Sequence, residues 1–200
     1  AHAVGALLAV DGSQYVPHVP TDVQAMGADF LIFTGHKMLG PMGIGVLWAH
    51  AELLDAMPPF LGGGEMILNV TKEGFTTTEI PWKFEAGTPM VAEAVGLGAA
   101  IDYALELGIE TTSVRIVELG ARLRDGLAAI DGVSVHDKGA RRGGIVTFAV
   151  EGTPSEAVQT HLTANRINTS LSPAGHARLD LPHRGLPTLV RASVHYYNSC

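Results

Sequence analysis

Residues 7–11 and 29–34 are two short, continuous apolar runs, each ending on a polar side chain, Asp11 in the first and Thr34 in the second. Hydrophobicity that is continuous rather than alternating marks strands covered on both faces, which places the chain in the α/β class. The intervening residues 12–28 are enough for a parallel crossover, which takes about a dozen. Within them Thr21-Asp22-Val23-Gln24-Ala25-Met26-Gly27 predicts a short helical turn, with Thr21 as a cap-like residue and Gly27 closing it. Open α/β sheets bind ligands beyond the carboxyl ends of their strands. Asp11 and Thr34 are therefore expected at one shared edge.

Past Thr34 the chain reads Gly35-His36-Lys37, then Gly40, Pro41, Gly43 and Gly45, then Val46-Leu47-Trp48-Ala49. A tight Gly/Pro loop that returns as an antiparallel strand is the expectation, with Lys37 on the turn. Residues 61–88 are Gly-rich and irregular. A helix is predicted from near Pro89 to Gly108, with Val91, Ala94, Val95, Gly98, Ile101 and Leu105 as its stripe. A second is predicted over Glu110 to Ile130, with Ile116, Leu119, Leu123, Leu127 and Ile130 facing inward. Then Val133-Ser134-Val135, residues 144–150, a helix over Ser155 to Asn165, Ile167-Asn168-Thr169 and residues 189–193 alternate as β-β-α-β-β. Residues 1–110 thus read as part of a larger, mostly parallel α/β domain and 111–200 as a smaller α/β domain, with the boundary within the helix at 110–130. Two parallel strands and one return strand, with almost no helix before residue 88, cannot cover both faces of a sheet. The expectation is an internal fragment lacking an N-terminal portion, or a chain that completes itself by oligomerising.

The net charge of −7 leaves no basic stripe, which argues against nucleic acid or an anionic membrane surface as partner; any bound anion must be held by local groups. No apolar run approaches the roughly 18 residues of a membrane helix. The one cysteine, Cys200, permits no intrachain disulfide, so a reducing, cytoplasmic setting is expected.

Lysine on a Gly-flanked turn after a strand, with a carboxylate ending the strand before it, is the arrangement that pyridoxal 5'-phosphate (PLP) chemistry needs. The lysine holds the aldehyde as a Schiff base and the carboxylate keeps the pyridine nitrogen protonated. Lys37 and Asp11 fit these roles, Gln14 is placed to meet the ring oxygen, and Thr34 and His36 bracket the lysine as phosphate donors. Gln14 and Thr34 also suit turn or cap roles, and Arg191 that of a salt-bridged strand residue. The Gly62-Gly63-Gly64 run is no P-loop, because no Gly-Lys-Ser/Thr follows, and is assigned to active-site architecture at a subunit interface. His176, Asp180 and His183 have spacings that would suit metal ligands on a helix, but Pro182 and Gly185 argue against a continuous one, so no metal is expected.

Asp11-Gly12-Ser13-Gln14, Thr34-Gly35-His36-Lys37, Gly40-Pro41 with Gly43 to Gly45, residues 58–66, Phe84-Glu85-Ala86-Gly87-Thr88-Pro89 and Val190-Arg191-Ala192-Ser193 resemble the class V, fold-type I PLP enzymes, in particular the cysteine desulfurase and selenocysteine lyase group. The resemblance implies PLP as cofactor, Lys37 as its Schiff-base lysine, Asp11 on the pyridine nitrogen, Gln14 on the ring oxygen, and Thr34 and His36 on the phosphate. It further implies Thr88 on the phosphate of a neighbouring subunit in a homodimer, and Arg191 on the carboxylate of a small amino-acid substrate, with a protein that accepts sulfur as a partner. Desulfurases carry a nucleophilic cysteine on a loop ahead of that arginine. The matching position here is His176, an acid/base candidate, while Cys200 lies beyond Arg191 and reads as a bystander. Aminotransferase, C–S lyase or epimerase chemistry without a persulfide therefore stays open, as does a non-catalytic remnant of the fold.

Overall fold

The computed structural model describes residues 1–199, so Cys200 lies outside the described residues. The chain divides into two compact units, residues 1–109 and 110–200.

In the first unit β1 (Ala9–Asp11) and β2 (Phe30–Thr34) pair in parallel, Asp11 opposite Ile32, and β3 (Gly45–Ala49) returns antiparallel to β2 with Thr34 opposite Gly45. Asp11 and Thr34 each end their strand, as the apolar runs predict. The Asp29 carboxylate fixes the start of β1 by accepting the Leu8 N–H at 2.6 Å, and it pairs with His2 at 2.7 Å. The crossover contains α1 (Val23–Met26), which is capped by Asp22 and not by Thr21. The Asp22 carboxylate accepts from the N–H groups of Gln24 and Ala25, whereas the Thr21 hydroxyl turns away and donates to Val19 O. An Asp accepts two amide hydrogens at an N-terminus better than a preceding Thr that has a backbone partner of its own. One sheet face packs through Leu31, 2% exposed. On the other, Ile32 and Leu47 are directly opposite each other and 41% and 46% exposed, so within this chain the sheet is covered on one side.

After β3 come α2 (Ala51–Ala56), the hairpin β4 (Ile67–Val70) and β5 (Phe75–Thr77), and α3 (Val91–Leu107). Residues 61–88 are thus less irregular than expected, and Lys83 within them donates to the carbonyls of Leu54 and Asp55 at the end of α2. The buried side of α3 is Leu97 and Ala100, not the expected stripe: Val91, Val95 and Leu105 are exposed. The helix is apolar nearly all round, so several stripes satisfy its spacing and only packing selects one.

The second unit holds α4 (Ile109–Ala128) and an antiparallel sheet of β6 (Val133–Val135), β7 (Ile145–Val150), β8 (Ser170–Ser172) and β9 (Leu189–Ser193), in the order β6-β7-β9-β8, with α5 (Ser155–Ala164) before β8. α4 stops short of the expected Ile130, which is exposed. The strand expected at Ile167-Asn168-Thr169 lies instead at Ser170–Ser172, because pairing with Leu189, Val190 and Arg191 sets the register and leaves Ile167 in solvent. Ile116, Val146, Phe148, Leu189 and Val190 form the core. No helix among the described residues is long and apolar enough to cross a membrane.

Candidate active site

The carboxyl edge of β1 and β2 gathers five of the candidate residues, Asp11, Gln14, Thr34, His36 and Lys37. Beyond Asp11 the chain turns on Gly12, whose N–H continues the ladder to Ile32 O at 2.7 Å. A Cβ at Gly12 would lie 2.7 Å from Leu31 Cδ1, so only glycine lets the turn press this closely onto β2. The turn brings the Ser13 N–H to Asp11 Oδ1 at 2.9 Å. Bonds from the Ser13 hydroxyl and backbone, together with the charge of Lys37, outweigh desolvation and hold the Asp11 carboxyl below its ordinary range. Asp11 is therefore anionic at neutral pH. The sequence signals the Ser13 partner of Asp11 only through Asp-Gly-Ser, an Asx-turn signature.

β2 runs directly into a 3-10 turn, Gly35–Met38, that carries His36 and Lys37. Gly35 donates to Ile44 O and Gly40 donates back to Gly35 O, both at 2.9 Å, so the Gly/Pro loop braces the turn from both ends. Thr34 Oγ1 and His36 Nδ1 share a hydrogen bond of 2.9 Å. Lys37 is exposed, with no hydrogen-bond or ion-pair partner among the described residues. Leu39, next to this turn, has φ 65°, a left-handed conformation that non-glycine residues seldom adopt. Gln14 is exposed on the turn after Asp11.

Thr88 does not join this edge by any hydrogen bond among the described residues. It follows Gly87, whose N–H donates to Gly64 O at 2.9 Å, so the Gly62-Gly63-Gly64 run and the Thr88 loop form one exposed assembly.

In the second unit Arg191 is central in β9, opposite Thr147 of β7 and Ser170 of β8. Its Nε is buried and has no partner. A buried donor left this way costs the fold free energy rather than supporting it. His176 ends a 3-10 turn, Ala174–His176, with its side chain exposed. Of the residues considered as metal ligands, Asp180 is engaged by Lys138 and by Arg184 at 3.0 Å.

Arg124 and Asp137 form a buried ion pair of 2.6 Å, their side chains 8% and 9% exposed. Arg124 also donates to Gly143 O and Ile145 O, while Asp137 accepts from the Thr147 N–H and hydroxyl. Its signal in the sequence is the recurrence of Ile116, Gly120 and Arg124, all buried, at one-turn intervals on α4.

The family model for aminotransferase class-V matches residues 1–200. A probable cysteine desulfurase of Xylella fastidiosa (strain 9a5c) is 42% identical over 196 residues, 98% of this chain and 47% of that protein. The crystal structure of the cysteine desulfurase CsdA from Escherichia coli, in an S-sulfonic acid form, superposes with a TM-score of 0.92 at 37% identity, covering 100% of this chain and 49% of that one. The cystine C–S lyase C-DES, in complex with its product cysteine persulfide, superposes with a TM-score of 0.79 at 28% identity, covering 96% of this chain and 49% of that one. The chain thus spans about half the length of the relatives it matches.

Proposed function

Because this chain belongs to the aminotransferase class-V family, we propose that it is the lysine-bearing part of a PLP-dependent enzyme that cleaves the C–S or C–Se bond of a small amino acid, in the manner of cysteine desulfurases. The observation that carries this reading is the strand edge where an ionised Asp11, the Thr34–His36 pair and an unpartnered Lys37 come together. The donor set fits PLP: an anion for the pyridinium, an amine for the aldehyde, and hydroxyl and imidazole groups for the phosphate. When bound, PLP supplies an electron sink for the substrate's Cα.

The residues then divide the work. Lys37 holds the cofactor's aldehyde and afterwards takes the proton from the substrate Cα. Asp11, kept ionised by Ser13 and Lys37, holds the ring-nitrogen proton in place. Gln14 meets the ring oxygen, and Thr34 and His36 grip the phosphate. Thr88 serves the phosphate of a second subunit, which makes the enzyme a homodimer. Arg191 takes the substrate carboxylate with a planar pair of donors. Residues 1–110 are part of the cofactor-binding large domain and 111–200 the smaller C-terminal domain. A cytoplasmic setting and a sulfur-accepting partner protein belong to the same proposal.

A second reading is favoured by His176. It stands where desulfurases are expected to carry the nucleophilic cysteine, and C-DES, a C–S lyase, shares the fold. In that reading His176 acts as acid or base and no persulfide forms on the enzyme.

The test is addition of PLP to the purified full-length protein and to its Lys37→Ala variant. The wild type is expected to gain the visible absorption band of a lysine-bound cofactor and the variant to lack it; a band of equal strength in both, or in neither, refutes the assignment. Product analysis with cysteine then separates the readings, since protein-bound persulfide with alanine marks a desulfurase and free sulfide with pyruvate a lyase.

A further inference from the structure

We propose that a cationic cleft in the second unit is a binding site for a small multivalent oxyanion of the phosphate or sulfate type, a role that neither the family likeness nor the proposed reaction assigns. The cleft, about 350 Å³, lies between the 136–143 segment, the 172–184 segment and the ends of α4 and β7. Its volume is at the low end of ligand pockets, the size range of a compact ion with its water rather than a long chain.

Its charge is unlike that of the molecule as a whole. Arg124, Lys138, Arg141, Arg142 and Arg184 line it against two carboxylates, Asp137 and Asp180, an excess of three positive charges in a chain of net charge −7. The carboxylates are already consumed. Asp137 is bound by Arg124 and by Thr147, and Asp180 by both Lys138 and Arg184. Arg184 spends its other terminal nitrogen on His136 O at 2.8 Å. Neither Arg141 nor Arg142 has a hydrogen-bond or ion-pair partner among the described residues. Arg141 and Arg142, consecutive in the chain and both lining the cleft, are thus left without an anion, and a cleft lined by an excess of one sign of charge focuses the field. Guanidinium pairs match tetrahedral oxyanions bidentately and bind them better than they bind halides.

His136, on the cleft wall, reports the same field. Partial burial first, and the Arg184 charge second, hold its imidazole below the ordinary value in spite of neighbouring Asp137. The floor is rigid, because the buried Arg124–Asp137 pair ties α4 to the start of β7 through Gly143 and Ile145. One wall, Ala177 to Arg184, directly follows His176. An anion bound here would therefore act on the segment that follows His176, the acid or base of the second reading.

The experiment is calorimetric titration of the full-length protein, saturated with PLP so that Thr34 and His36 are occupied, with sodium phosphate, sodium sulfate and sodium chloride at matched ionic strength. Saturable binding of phosphate or sulfate, at least tenfold weaker in the Arg141→Gln/Arg142→Gln double variant and abolished by Arg142→Glu, is expected. Whichever of the two oxyanions binds more tightly identifies the source of the chemistry. No saturable heat, an equal response to chloride, or unchanged affinity in the double variant overturns the proposal. Both arginines are exposed, so circular dichroism of the variants should match the wild type. A protein that takes up no PLP refutes the cofactor reading alone. Oxyanion binding lost in the arginine variant but kept in Thr34→Val would still establish this site.

Discussion

Gly96 of α3 lies against Pro41 in the loop that braces the Lys37 turn: a Cβ on Gly96 would stand 2.5 Å from Pro41 Cγ and 3.2 Å from its Cδ. The helix and the loop after Lys37 are therefore in contact where one of them has no side chain. Gly96→Ala sets two effects against each other. Helix propensity gains up to about 1 kcal/mol, while overpacking a rigid ring costs about 1–3 kcal/mol. The clash prevails, because a proline ring cannot rotate away, and the net loss should be about 1 kcal/mol in urea unfolding. Displacing Pro41 also moves the turn, so PLP affinity should fall together with stability. A variant of unchanged cofactor affinity would show that the helix does not set the position of Lys37.

The Arg124–Asp137 pair should behave as buried pairs do when one half is removed. Asp137→Leu leaves the guanidinium without its counter-charge and should destabilise the second unit by about 3–5 kcal/mol, whereas adding Arg124→Met to it should recover most of that loss. Urea unfolding of the two single variants and the double variant measures the coupling. An additive result would mean that the carbonyl bonds of Arg124, not the ion pair, hold α4 to β7.

How far the fold could be read in advance follows from which interactions set each element. β1 and β2 announce themselves because they are continuously apolar, although within this chain only the Leu31 face is covered and Ile32 stays 41% exposed; the edge bearing Asp11 and Lys37 follows from that pattern. β8 was displaced because Ser170-Leu171-Ser172 has little strand character of its own and takes its register from β9. The β4–β5 hairpin escaped notice because Leu68 and Val70 are 72% and 64% exposed, so no burial pattern marks it. Arg124 was invisible as a core residue because a single charge on a helix ordinarily faces water, and its partner comes from a loop after the next strand.

Acid sensitivity should arise at His18 and His136. Both imidazoles are held below the ordinary 6.5, His18 by burial and His136 by burial and the Arg184 charge. The unfolded chain then binds a proton that the folded state refuses, so stability rises with pH through this window and is lost as pH falls below about 6.5. Replacing His18 with Gln should flatten the slope of thermal stability between pH 7 and roughly 5, the range in which unperturbed histidine titrates. A slope identical to the wild type would place the acid sensitivity elsewhere.

Arg191 allows a structural role to be separated from a functional one. Its Nε is buried without a partner, and such a group costs a fold about 1–3 kcal/mol rather than supporting it. If the guanidinium is there for the substrate, Arg191→Met should leave the fold as stable or more stable while removing the grip on the carboxylate. The expected result is an unfolding midpoint equal to or above wild type, an intact cofactor band, and a loss of kcat/KM of at least tenfold. Arg191→Lys restores the charge but not the fork, so it should recover only part of that loss, chiefly in KM. Destabilisation by Arg191→Met with kcat/KM unchanged would make Arg191 a strand residue held by neighbours, and carboxylate recognition would have to be sought among other cations of the protein.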